Sequence, residues 1–138
     1  MSVLVVAVDG SLEAQRAIDA AARLARATGA AVSLVHVGPQ PETLQVAGEH
    51  DGFSRAYAGY ADAMLRRLAQ SPSLAGLTVT TRVLEGDPAT CIAAHAREAS
   101  ADLVVSGSRG LNAVTRLLVG SVSTRLLHLC DRPVMIVR

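Results

Sequence analysis

The chain has 138 residues, a formal net charge of +1, and a composition that is half apolar yet only 2% aromatic. One domain with a proper core fits that length, and its interior must be built from Ala, Val and Leu, which favours thin helices packed closely on a Val-rich sheet. All thirteen cationic residues are Arg, and only Arg66 and Arg67 adjoin. The basic stripe or stacking aromatics of a nucleic-acid binder are therefore missing.

The run Val3 to Val8 is continuously apolar and β-branched, as a strand covered on both faces requires. Asp9 interrupts it too early for a signal-peptide core or a membrane span, so a cytoplasmic protein without membrane contact is expected. Asp9-Gly10-Ser11 turns the chain. From Leu12 to Thr28, Ala14, Ala17, Ile18, Ala21, Leu24 and Ala25 recur at helical spacing, and Gly29 suits the position after the helix. Ala31 to Val37 reads as a second buried strand, which His36 ends as a satisfied interior histidine rather than a catalyst. Gly38 to Gly52 holds two prolines and no period, and is expected to be a mobile loop.

Phe53, Tyr57, Tyr60, Met64 and Leu68 form a helical stripe that contains every aromatic residue of the chain, and it is expected to pack on the sheet. Leu77 to Leu84 carries Thr78, Thr80 and Arg82, the pattern of a less buried outer strand. Asp87-Pro88 supplies an N-cap followed by proline at the first helical position, and Ile92, Ala93 and Ala96 continue that helix. Leu103 to Ser106 is a fourth strand, Ser121 to Leu129 a last helix and Pro133 to Val137 a last strand. Cys91 and Cys130 lack CxxC spacing and fall in apolar helical patterns, so both are expected to be buried thiols. His50, His95 and His128 are dispersed without metal-ligand spacing. Strands alternating with helices imply a parallel sheet.

The most specific chemistry lies in the C-terminal third. Ser106-Gly107-Ser108-Arg109-Gly110 leaves the fourth strand, and Gly120-Ser121-Val122-Ser123 opens the last helix, giving Gly-x2-Gly-x9-Gly-Ser. Glycines let backbone N–H groups face inward without Cβ interference. A helix start adds unpaired donors and the positive end of a dipole. These are the parts of a phosphate cradle. Ligands of parallel sheets sit at the carboxyl ends of the strands, near the switch in strand order, and Asp9, Val37 and Gly107 all fall there.

Taken in order, Val5 to Ser11, His36-Val37, Gly86-Asp87-Pro88, Asp102 to Gly110, Gly120 to Ser123 and Pro133 to Arg138 make the chain resemble the universal stress protein family over its full length. That resemblance implies a Rossmann-like α/β fold of the adenine nucleotide alpha-hydrolase type. Its five parallel strands would run in the order 3-2-1-4-5 with helices on both faces. It also implies the ATP-binding branch, with ATP and Mg²⁺ as ligands. Ala7, Val8 and Asp9 would then line the nucleoside, with Asp9 at the ribose or a phosphate-bound Mg²⁺ and the Val37 backbone at the adenine. Gly107, Arg109, Gly110, Gly120, Ser121, Val122 and Ser123 would line the phosphates. A homodimer through Pro133 to Val137 is implied as well, since that strand is an apolar edge. Leu129-Cys130-Asp131 departs from relatives, which often carry a second His and a small residue there.

The expected function is an ATP-binding regulatory module with little or no turnover, acting on a protein partner the sequence does not name. The alternative is a slow ATPase or phosphotransfer enzyme on the same fold. An adenylyl transferase would want a Ser-Gly-Gly-x-Asp-Ser type loop after the first strand, and a flavin site would want a Ser/Thr-rich one. Asp9-Gly10-Ser11-Leu12 is neither.

Overall fold

The computed structural model describes residues 1–39, 50–108 and 121–138, and of residues 50–54 the backbone alone. In chain order the elements are β1 (Val3–Ala7), α1 (Leu12–Thr28), β2 (Ala31–Gly38), α2 (His50–Ala69), a 3-10 turn at Pro72–Leu74, β3 (Val79–Glu85), α3 (Pro88–Glu98), β4 (Leu103–Gly107), α4 (Ser121–Leu129) and β5 (Val134–Val137). All five strands are parallel in the order β3-β2-β1-β4-β5. The expected fold and strand order are both present. Most of the stretch 38–52 expected to be mobile lies outside the described residues, while α2 already begins at His50.

Alternation along β1 divides the interior. Leu4, Val6 and Val8 face α1 and α2, in a cluster with Ala14, Ala17, Ile18, Ala21, Val32, Leu34 and Leu65. Val5 faces the other way, with Val35, Val104, Ile92, Ala96 and Leu126 under α3 and α4. Successive strand residues point to opposite faces, so a strand in the centre of the sheet is apolar at every position. The alanines of α1 bring its backbone close to the sheet, and Ala17, Ile18, Ala21 and Ala25 are fully buried.

Helix ends obey their sequence signals. The Ser11 hydroxyl accepts the Ala14 N–H at 3.1 Å, a cap worth about 1 kcal/mol. Gly29 adopts a left-handed φ of +78° and returns its N–H to the Ala25 carbonyl at 2.8 Å. Asp87 caps α3 by accepting the Thr90 N–H at 3.1 Å.

Two side-chain expectations need correction. The buried row of α2 is Ala61, Met64 and Leu65, flanked by Leu68, whereas Tyr60 is 61% exposed. Met64 and Leu68 pack as expected, but the small Ala61 takes the buried place expected of Tyr60. Cys91 and Cys130 are free thiols but only half-buried. Among the described residues no helix is long and apolar enough to cross a membrane.

A buried polar pair joins the sheet to α3. Ser33 on β2 and His95 on α3 meet at 3.2 Å between the hydroxyl and Nε2, and His95 Nδ1 has no hydrogen-bond partner among the described residues. Burial, then the Arg82 charge, pushes the His95 pKa below its ordinary 6.5, with Glu98 opposing. The folded state therefore binds fewer protons than the unfolded state just below pH 6.5, and stability falls as pH drops from there toward the folded pKa. The parent's resistance to denaturant should weaken on acidification in that window, and His95→Gln should flatten that component. An unchanged slope in His95→Gln would exclude His95 as its source.

Candidate functional site

β1 lies between β2 and β4, and the chain leaves it toward β2 and later crosses to β4. The crevice beyond its carboxyl end is the topological switch point of the sheet. Asp9 sits there, half-buried, with Oδ1 accepting the Ser11 N–H at 3.0 Å. It is thus a turn residue that holds the start of α1, and among the described residues Oδ2 accepts no hydrogen bond. Gly10 makes the turn with φ +83°, and a Cβ there would meet the Met64 sulfur at 3.1 Å.

The pairing of β1 with β2 ends abruptly. Ala7 is in register with Val35, and the Val8 N–H donates to the Val35 carbonyl at 2.9 Å. A parallel ladder continued by one step would send the Val37 N–H to the Val8 carbonyl. That bond is absent among the described residues; the Val8 carbonyl instead accepts the His36 Nδ1–H at 2.8 Å. The peptides of His36 and Gly38 serve the β3 side, where the Gly38 carbonyl accepts the Gly86 N–H at 3.1 Å. Val37 therefore turns its N–H and C=O toward the crevice that β1 has vacated.

Across the crevice β4 ends at Gly107. A Cβ on Gly107 would lie 2.8 Å from the Glu13 Cβ and 3.1 Å from the Glu13 carbonyl carbon. The glycine is thus required by the first turn of α1 before any ligand is considered. Ser123 is 3% exposed, and its hydroxyl donates to the Gly107 carbonyl at 2.6 Å, with Ser106 donating to the same carbonyl at 3.2 Å. The Ser123 hydroxyl thereby ties the start of α4 to the end of β4. Ser121 is exposed and Val122 packs against the core under α3 and α4. Arg109, Gly110 and Gly120 lie outside the described residues. Arg125 on α4 donates to Asp87, and this bond above all holds the Asp87 carboxyl down to about 2.

The structure thus places Ala7, Val8, Asp9, Val37 and Gly107 at the carboxyl ends of β1, β2 and β4, with Ser123 in the first described turn of α4 tied to Gly107. It adds residues that the sequence reading assigned elsewhere. Tyr57, taken as a sheet-packing residue, donates its hydroxyl toward His36 Nε2 at 2.7 Å. Its ring occupies the space a side chain at Gly38 would need, 2.6 Å from an added Cβ. A glycine directly after a buried strand, with a tyrosine in an aromatic-poor chain, was the available signal. Burial raises the Tyr57 pKa, helped by Tyr60, so the phenol remains a donor. Among the described residues no group of three or more His, Cys, Asp or Glu is placed to hold a metal ion.

A model of the universal stress protein family matches residues 1–138. The chain belongs to the universal stress protein family. Universal stress protein YxiE of Bacillus subtilis is 33% identical over 144 residues, spanning 98% of this chain and 97% of its own. A universal stress protein crystallised in complex with cAMP is 25% identical, with a TM-score of 0.75 over 99% of this chain and 96% of its own. One from Archaeoglobus fulgidus in complex with dAMP is also 25% identical, with a TM-score of 0.65 over 100% of this chain and 98% of its own. Both ligands carry adenine.

The packing at Gly107 gives a direct test on the ligand-free universal stress protein. Gly107→Ala should lower unfolding stability by roughly 1–3 kcal/mol, because the methyl must displace backbone of α1. Denaturant titration without nucleotide measures it, and an unchanged midpoint would mean that α1 does not confine this position.

Proposed function

We propose that this universal stress protein binds ATP with Mg²⁺ as a cytoplasmic regulatory module, its nucleotide state altering shape or choice of protein partner, with little or no turnover. The observation that carries this reading is the Val37 peptide, whose N–H and C=O face the switch-point crevice outside the β1–β2 ladder. A donor beside an acceptor on one extended peptide complements the N1 acceptor and N6 donor of adenine, and opposes the reversed pair of guanine. The two structural relatives with cAMP and dAMP are in accord with an adenine-centred site.

In this reading Ala7 and Val8 floor the nucleoside pocket, and Asp9 offers its Oδ2 to the ribose or to Mg²⁺. Mg²⁺ commonly takes only one or two protein carboxylates and otherwise water and phosphate oxygens, and Asp9 would supply one such carboxylate. When bound, the ion neutralises phosphate charge. The phosphates fall to Gly107, Arg109, Gly110 and Gly120 and to the N–H groups of Ser121, Val122 and Ser123. Those three stand first among the described residues of α4, which hold no intrahelical acceptor for them. Because the Ser123 hydroxyl is committed to the Gly107 carbonyl, Ser123 contributes through its backbone. Low turnover follows from the same commitments. His36 is engaged at both ring nitrogens, so it does not act as a base toward water, which weighs against the slow-ATPase or phosphotransfer alternative.

Calorimetry tests the site. Asp9→Ala should weaken Mg-ATP binding by roughly 1.5–3 kcal/mol, the scale of a charge-assisted hydrogen bond, and Gly120→Val should abolish the phosphate contribution. Parent-like affinity in a folded Asp9→Ala protein would remove Asp9 from the site.

We further propose a homodimer through β5. The two sheet edges differ: β3 exposes Thr80, Thr81 and Arg82, whereas β5 reads Val-Met-Ile-Val and is half-buried throughout. The Val104 N–H donates to the Pro133 carbonyl and the Ser108 N–H to the Val137 carbonyl. The odd-numbered peptides therefore serve β4, and those of Val134 and Ile136 face outward. An unguarded apolar edge is a template for a second copy about a two-fold axis. Ile136→Pro removes an outward donor and leaves the β4–β5 ladder intact. Light scattering at tens of micromolar should give a dimer for the parent and a monomer for Ile136→Pro; a monomeric parent would refute the interface.

A further inference from the structure

The gap in the ladder at Val37 has a mechanical cause in the side chains around it. His36 is 8% exposed and makes two hydrogen bonds, to the Val8 carbonyl at 2.8 Å through Nδ1 and to the Tyr57 hydroxyl at 2.7 Å through Nε2. A carbonyl only accepts, so the neutral imidazole carries its proton on Nδ1, and Nε2 accepts from the phenol. The two rings stack with centroids 6.0 Å apart and planes 24° apart. On the other side of Val37 the Tyr57 ring fills the place of a Gly38 side chain, where an added Cβ would come within 2.6 Å of the ring. Tyr57 on α2 therefore grips the residues that precede and follow Val37.

We infer that Tyr57, acting through His36, is a positioning residue for the nucleoside base. His36 occupies the Val8 carbonyl, the acceptor to which the Val37 N–H would otherwise close. Tyr57 holds the imidazole in the tautomer and orientation that do so. The consequence is a peptide kept out of the sheet and available to a purine edge, with α2 mechanically linked to whether that edge is free. This role rests on the adenine-nucleotide reading of the crevice. A histidine that merely satisfied its own buried nitrogens would have no effect on the Val37 amide.

Hydrogen exchange and calorimetry on the full chain decide between the two. In the nucleotide-free parent the Val37 amide should exchange far faster than that of Val35, whose ladder is intact. In His36→Leu the freed Val8 carbonyl should capture the Val37 N–H, slowing its exchange roughly tenfold or more, on the scale of one recovered hydrogen bond. Tyr57→Phe keeps the ring against Gly38 and removes only the hydroxyl. It should weaken adenosine and ATP equally, by roughly three- to tenfold, because the base and not the phosphates loses its contact. A Val37 amide equally exposed in His36→Leu and the parent would overturn the inference, as would parent-like ATP affinity in Tyr57→Phe. Should His36→Leu fail to fold, the conservative Tyr57→Phe decides alone. A parent that binds no adenine nucleotide refutes the binding reading before any substitution is made, and this role with it.

Discussion

β1 stops pairing at Val8, while β2 runs on to Gly38 beside β3. Much at this end of the molecule depends on that overhang. The central strand must leave the sheet for α1 to begin, and Asp9 and Ser11 fix the turn with their side chains. Departure of the middle strand opens a crevice flanked by β2 and β4. It also strands the Val37 peptide, which in a longer β1 would be an ordinary ladder member. An unpaired peptide is tolerable where water or a ligand reaches it, and the mouth of a parallel sheet is such a place.

The packing on either face serves this opening. Alanines on α1 let its first turn approach β4 so closely that only glycine fits at 107. On the opposite face, the buried Ser123 hydroxyl draws the start of α4 onto the Gly107 carbonyl, and the Asp87–Arg125 pair ties α4 to the capped end of α3. That pair is largely exposed, so its worth is geometric more than energetic. Two helix starts are thereby aimed at one end of β4. These elements are held by the two apolar clusters, and several polar groups at this end of the sheet are committed to one another.

Much of the fold was legible in the sequence because its signals were strong and local. The β-branched runs at Val3 and Ala31, the Asp87-Pro88 helix start and Gly29 all act through nearest neighbours. The strand order came with the family resemblance, not with the periodicity. Asp9, Val37 and Gly107 were expected at the carboxyl ends of strands, and the structure has them at or just past the ends of β1, β2 and β4. What stayed hidden were contacts between distant segments. Nothing local ties Tyr57 to His36, twenty-one residues apart, or requires Gly107 to clear Glu13. Tyr60 was assigned to the sheet because alanine is a weak marker of a buried row, and Ala61 is that marker. The half-buried cysteines follow the same logic: an apolar helical pattern does not distinguish the margin of a face from its centre.

The proposed selection of adenine by the Val37 peptide, in the crevice at the end of β1, is open to direct measurement. Native mass spectrometry of the purified chain, offered equimolar ATP and GTP with Mg²⁺, tests it most directly. Protein ions carrying ATP are expected, with GTP adducts no greater than those on an unrelated control protein. Equal retention of the two nucleotides, or retention of neither, would contradict it.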